Sequence, residues 1–254
     1  MNNFKHNKDF GQHFLIDENI INLIMLSAGD LTNKTVIEIG PGNFAITKPL
    51  LQKAKKVIAI EIDKRLEPNL ISLTKLHNNF EYIIGDALHI NSNLLADDNK
   101  VLISNLPYNV GTQIYLNYLL NAVDFEYFLL MFQLEVAKRI TAITGDSHFG
   151  RLSLISDLLA KREFLFTVAP SSFNPPPQVN SAVIKISPFK NPRINVDIKN
   201  LEKITNLAFN GRRKTIKNSL GELNLDFTEL NINPQKRPQE LSLEDFCKIA
   251  NTLA

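Results

Sequence analysis

One cysteine, Cys247, is all the thiol chemistry this chain has. It can form neither an intramolecular disulfide nor a multi-thiolate metal site, which fits a reducing compartment. The five histidines show no ligand spacing with it or with one another, so no metal is expected. No stretch approaches the roughly 18 consecutive apolar residues of a membrane span. Residues 1–10 have neither the apolar core of a signal peptide nor the Arg-rich, acid-poor character of a mitochondrial presequence. A cytoplasmic protein without a membrane partner is the expectation. Charge of one sign is scarce too: the formal net charge is +2, so the chain as a whole makes no case for a polyanionic partner. Internal repeats and low-complexity segments are missing.

With 254 residues, 44% of them hydrophobic, the chain can bury a core large enough for one large domain and a small appendage. Between residues 35 and 142 short β-branched runs alternate with helical patterns, the mark of βαβ units around a parallel sheet. The pattern predicts strands at 35–39, 57–61, 80–84, 101–104 and 127–132. Each is almost continuously apolar, as a strand covered by helices on both faces must be. Helices are predicted at 45–53, 65–76, 112–120 and 135–143. Two further strands, 164–168 and 182–186, flank a run with three consecutive prolines, Pro175-Pro176-Pro177, which can continue neither a helix nor a central strand. After Pro188 helical spacing takes over at 198–209, 213–220 and 243–253. The reading is an α/β domain over residues 1–190 and a small all-helical domain over 191–254. Residues 190–254 hold eleven Lys/Arg against eight Asp/Glu, and Arg212, Arg213, Lys214 and Lys217 fall within seven residues. Such a cluster suits phosphates, although a solvated helix face accounts for it as well.

The first strand ends in Gly40-Pro41-Gly42-Asn43-Phe44-Ala45, which fits the G-x-G-x-x-G/A turn that lets a nucleotide approach the backbone. The second strand ends in Glu61, placed to accept from both ribose hydroxyls. These two features serve a nicotinamide dehydrogenase as well as a methyltransferase. The third strand ends in Asp86, a carboxylate for an adenine amino group. The fourth runs into Asn105-Leu106-Pro107-Tyr108. The N6 nitrogen of adenine is a poor nucleophile until its lone pair is drawn out of the ring. The Asn105 amide oxygen and the Leu106 carbonyl could accept its two hydrogens, Pro107 biases Leu106 to an extended conformation, and Tyr108 offers a stacking face. An activated sulfonium donor then needs neither a strong base nor a metal.

That tetrapeptide resembles the bacterial ribosomal RNA adenine N6-dimethyltransferase family, as do Phe10-Gly11-Gln12-His13-Phe14-Leu15 and Ile39-Gly40-Pro41-Gly42. The likeness continues through Phe149-Gly150-Arg151-Leu152-Ser153, the run from Ser172 to Val183, and the run from Arg212 to Leu220, so it covers nearly the whole chain. It implies a Rossmann-like class I methyltransferase sheet and S-adenosyl-L-methionine as methyl donor. It also implies a pocket lined by His13, Leu15, Gly40, Gly42, Glu61, Asp86 and Asn105, and a flipped adenine held between Tyr108 and Phe173. His13 stands where the family has Asn or His, which leaves its contact open. Asn174 replaces an expected Thr, a polar exchange. The resemblance is strongest to the small-subunit members, which dimethylate two adjacent adenosines in the 3′-terminal hairpin loop of the 16S RNA. The implied partners are the small-subunit precursor and its rRNA, and the protein is expected to act as a monomer. The competing functions are a large-subunit enzyme conferring macrolide resistance, an assembly factor that chiefly delays small subunits, and a dehydrogenase, for which no hydride-transfer partners stand downstream.

Overall fold

The computed structural model describes residues 13–91, 95, 99–122, 124–211 and 213–253. The five apolar runs become β2 (Thr35–Ile39), β3 (Lys56–Glu61), β4 (Phe80–Ile84), β5 (Lys100–Asn105) and β6 (Phe125–Gln133). They are mutually parallel and each is tied to its neighbours, with Ile39 opposite Ile60 and Glu61 opposite Ile84. Two later strands, β7 (Ala160–Val168) and β9 (Ser181–Pro188), complete a seven-stranded sheet in the order β4-β3-β2-β5-β6-β9-β7. β9 runs antiparallel to β6. The sheet core is dry: Val36, Ile37, Val57, Ala59, Val101, Leu102 and Ile103 are fully buried. In such a sheet ligands bind beyond the carboxyl ends of the strands, where the order reverses; here that is between β2 and β5.

The connecting helices are α1 (Glu18–Ala28), α2 (Thr47–Lys53), α3 (Glu67–Leu76), α4 (Gly111–Leu120) and α5 (Leu134–Thr141), with a 3-10 turn at Lys64–Leu66 leading into α3. The sequence patterning leaves α1 unassigned, although Asp17 caps it and Ile21, Ile24, Met25 and Ala28 form its buried face. Before it, β1 (Phe14–Leu15) pairs antiparallel with β8 (Phe173–Asn174), a two-residue ladder outside the main sheet.

The chain divides into two compact units, Met1–Ala137 with Glu163–Pro188, and Lys138–Arg162 with Phe189–Ala254. The second contains α6 (Arg151–Leu159), also unassigned from sequence, together with α7 (Ile198–Ala208), α8 (Ile216–Ser219) and α9 (Leu243–Asn251). Its core is built from Leu201, Ile204, Ala208, Phe246 and Ile249, all fully buried. The guanidinium of Arg162 donates to the carbonyls of Ile140, Ala142 and Ser153 and pairs with Asp157 at 2.6 Å, tying four points of that unit together. The helix expected over 213–220 contracts to α8 because Thr215 caps it, accepting from the Asn218 amide, and the preceding residues form a turn. No helix among the described residues is long and apolar enough to cross a membrane.

Candidate active site

At the end of β2 the chain must leave a fully buried strand and enter α2 within a few residues. Gly40 and Gly42 take positive φ angles of 69° and 53°, conformations that cost a side-chain-bearing residue free energy. Gly42 is doubly constrained, since a Cβ there would lie 2.8 Å from Cε1 of Phe14. The Gly40 amide donates to the Ile60 carbonyl at 2.8 Å, locking the turn to β3. Asn43 then ties it to β1, donating from Nδ2 to the Leu15 carbonyl at 3.1 Å.

Three more strand ends converge on this turn. Glu61, at the end of β3, is 4% exposed and accepts from the Asp63 amide at 2.8 Å. Burial pushes its carboxyl above the usual range, and backbone amides oppose that shift. Beyond β4, Asp86 accepts from the Leu88 amide at 2.9 Å and has His89 Nδ1 at 3.3 Å. At the end of β5 the Asn105 amide nitrogen donates to the His13 carbonyl at 3.2 Å. A carbonyl can only accept, so this contact fixes which way the amide faces. Its Oδ1 is buried and has no partner among the described residues. Pro107 gives its carbonyl to the Gly111 amide at 2.7 Å, at the start of α4. Tyr108 is held at both ends: its hydroxyl lies 2.5 Å from Ser181 Oγ, and its ring centroid 5.3 Å from that of His13. His13 Nδ1 in turn meets the Pro175 carbonyl at 2.8 Å.

These residues enclose a cavity of about 330 Å³, within the range of small-molecule sites. His13, Leu15, Gly40, Gly42, Glu61, Asp86, Asn105, Leu106, Pro107 and Tyr108 all line it. Phe173 does not. Its ring is 2% exposed and packs in the core of the first unit, while its backbone pairs with Leu15. The aromatic sandwich expected across a base is therefore not assembled here, and stacking on Phe173 would first require that ring to be uncovered. Of the basic cluster, Arg213, Lys214 and Lys217 are exposed, as a phosphate-binding group must be, and Arg212 lies outside the described residues.

Sequence reasoning missed Glu38, Phe14 and Asn43, which line the same cavity. The available signal for Glu38 was a carboxylate inside an otherwise apolar strand. The wall as a whole carries carboxylates and no lysine or arginine among its described residues, and it presents an orphaned acceptor at Asn105. That set of acceptors suits a ligand with amino, hydroxyl and cationic groups, as S-adenosyl-L-methionine has.

Comparison with known proteins agrees in both sequence and shape. The family model described as ribosomal RNA adenine dimethylase matches residues 3–254. A protein of Allorhizobium ampelinum named ribosomal RNA small subunit methyltransferase A is 43% identical over 97% of this chain and 92% of its own length. Its namesake from Clostridium botulinum is 40% identical over 98% and 94%. Among solved structures, a dimethyladenosine transferase from Plasmodium falciparum superposes with a TM-score of 0.79 at 29% identity, covering 93% of this chain and 96% of the other. The 23S rRNA methyltransferase ErmE superposes with a TM-score of 0.71 at 25% identity, over 94% and 99%. Since the matched model spans almost the entire chain, its glycine turn and its Asn-Leu-Pro-Tyr loop alike, this protein belongs to the ribosomal RNA adenine dimethylase family.

Proposed function

We propose that the protein transfers methyl groups from S-adenosyl-L-methionine to the N6 amines of two adjacent adenosines in the 3′-terminal hairpin loop of 16S rRNA, during small-subunit biogenesis in the cytoplasm. The observation that carries this reading is the Asn105 amide, oriented by the His13 carbonyl so that a buried, unpartnered oxygen is left at the cavity. Relatives at 40–43% identity bear the small-subunit name, which favours that substrate over the large-subunit RNA named for ErmE.

When bound, the donor supplies a methyl carbon already activated by its sulfonium. The chain's own residues prepare the nucleophile. Asn105 Oδ1 and the Leu106 carbonyl accept the two N6 hydrogens, drawing the nitrogen out of conjugation so that its lone pair is free for in-line attack. Tyr108, its hydroxyl anchored on Ser181, provides a ring that does not turn, on which the base lies flat after leaving its stack. Glu61 holds ribose hydroxyls, Asp86 the adenine amino group of the donor, and Gly40 and Gly42 keep the backbone bare beside it. Arg212, Arg213, Lys214 and Lys217 hold rRNA phosphates.

The test is transfer of labelled methyl groups to immature small subunits and, separately, to large-subunit RNA, followed by nucleoside mapping. We expect N6,N6-dimethyladenosine at two neighbouring positions of small-subunit RNA. Label found only in large-subunit RNA would refute the assignment.

A further inference from the structure

The transfer chemistry leaves one carboxylate on the described cavity wall unused. Glu38 lies in β2, whose five residues are all buried; it is 2% exposed itself and lines the cavity. Thr47 of α2 is its polar neighbour, yet neither Glu38 Oε2 nor Thr47 Oγ1 completes a hydrogen bond of good geometry among the described residues. A second carboxylate, Glu61, stands on the adjacent strand and opposes ionisation of Glu38. The other titratable groups on the cavity wall are His13, Asp86 and Tyr108, and the described wall contains no lysine or arginine. Among the described residues Glu38 Oε2 thus lacks a donor, no cation stands on the cavity wall, and a second carboxylate lies beside it. Burial pushes its pKa up to about 8; Thr47 opposes that shift, and Glu61, the smallest of the three effects, adds to it.

A buried acid of this kind is costly unless something in the cavity meets it. We propose that Glu38 is a ligand-linked proton switch: neutral in the free protein, it ionises when the cationic part of the methyl donor enters the cavity, so that binding expels a proton and ligands are selected by charge. This rests on the reading that the cavity takes S-adenosyl-L-methionine. A cation within ~4–6 Å lowers a carboxyl pKa by roughly 1–3, enough to carry this one through neutrality. The proton leaves the Glu38 carboxyl for buffer, and the carboxylate keeps the electron pair. The donor brings two positive groups, a sulfonium and an α-ammonium. Its demethylated product keeps only the ammonium, and 5′-methylthioadenosine has neither.

Calorimetric titration at pH 7 in phosphate and in Tris, buffers of very different ionisation enthalpy, measures the protons exchanged. Donor binding should release up to about 0.9 proton, the fraction of Glu38 still protonated at that pH. Methylthioadenosine should release none. Release with the demethylated product as well would assign the ammonium as trigger, and release with the donor alone the sulfonium; either supports the switch. Glu38→Gln, a mimic of the neutral acid, should bind the donor without proton release. In the wild-type protein the release should shrink as pH rises past 8, a check that needs no variant. Donor binding with a buffer-independent enthalpy overturns the proposal alone, and so does release that survives Glu38→Gln. Failure of the donor to bind overturns the cofactor assignment along with it.

Discussion

Asn105 does two things at once, and they can be separated. Its Nδ2 holds the His13 carbonyl, and its Oδ1 is left to accept from a ligand. Asn105→Ala removes both, and loss of a preorganised group that acts on developing charge costs roughly 10²–10³ in rate. Single-turnover methyl transfer should fall by about that factor, with rRNA binding retained; a fall below tenfold would exclude Asn105 from the chemistry. Tyr108 divides differently. Tyr108→Phe keeps the ring and loses only the anchor on Ser181, whereas Tyr108→Ala loses base stacking worth about 1–3 kcal/mol. The alanine variant should therefore be the slower by roughly tenfold or more, and equal rates would deny that the ring holds the base. At Glu38 the folded-state pKa stands above the ordinary value of 4.5, at about 8. Between those values the folded chain binds more protons than the unfolded one, so stability is lost as pH rises through that window and levels off above it. Glu38→Gln lacks the penalty. Its thermal midpoint should gain on the wild type progressively from pH 5 to pH 8, and a constant difference across that range would contradict the buried neutral acid.

Elements place these residues, and the tightest is the turn from β2 to α2 with β1 lying against it. Gly42→Ala asks a Cβ to share space with the Phe14 ring at 2.8 Å while holding a φ of 53°. The backbone alone costs roughly 1–2 kcal/mol. Phe14 must also shift, and with it the β1–β8 ladder that carries His13 and Leu15 to the cavity. We expect donor affinity to fall at least about tenfold and the thermal midpoint to drop, measured by calorimetry and melting; a variant with unchanged affinity would mean that β1 does not shape the pocket. The strands of this site were legible because a strand buried on both faces is almost all apolar, and the residue where that run stops is the one delivered to the cavity. Gly40, Glu61, Asp86 and Asn105 were found in this way. Other parts were obscured for definite reasons. In α1, Leu23 and Leu26 are exposed, so the helix reads as apolar nearly all round and its face is blurred. In α6, Ser153 and Ser156 occupy the buried side, their hydroxyls satisfied by the Arg139 and Leu152 carbonyls, which patterning reads as solvent positions. Phe173 sits beside prolines like a loop aromatic, and only the pairing of β8 with β1 puts its ring in the core. Glu38 did leave a signal, a carboxylate in a buried strand, but that signal gives no hint of the space beside it.

For the whole molecule, the division into two compact units suggests a division of labour that can be measured. Every described residue lining the cavity belongs to the first unit, and Arg213, Lys214 and Lys217 belong to the second. A net charge of +2 cannot hold a structured RNA by itself, so rRNA affinity must come from local clusters of cations. Each phosphate contact contributes about 0.7–0.9 to the slope of log affinity against log salt. Replacing Arg213, Lys214 and Lys217 together with alanine should weaken binding to immature small subunits and reduce that slope by roughly 2–3. Donor affinity in the same variant should stay within about twofold, because none of the three residues borders the cavity. Methyl transfer should then be lost through the RNA side of the reaction, as a raised KM that low salt partly restores. If the triple variant keeps the wild-type slope, the grip on rRNA lies elsewhere in the chain; if donor binding falls with it, the two units do not act separately.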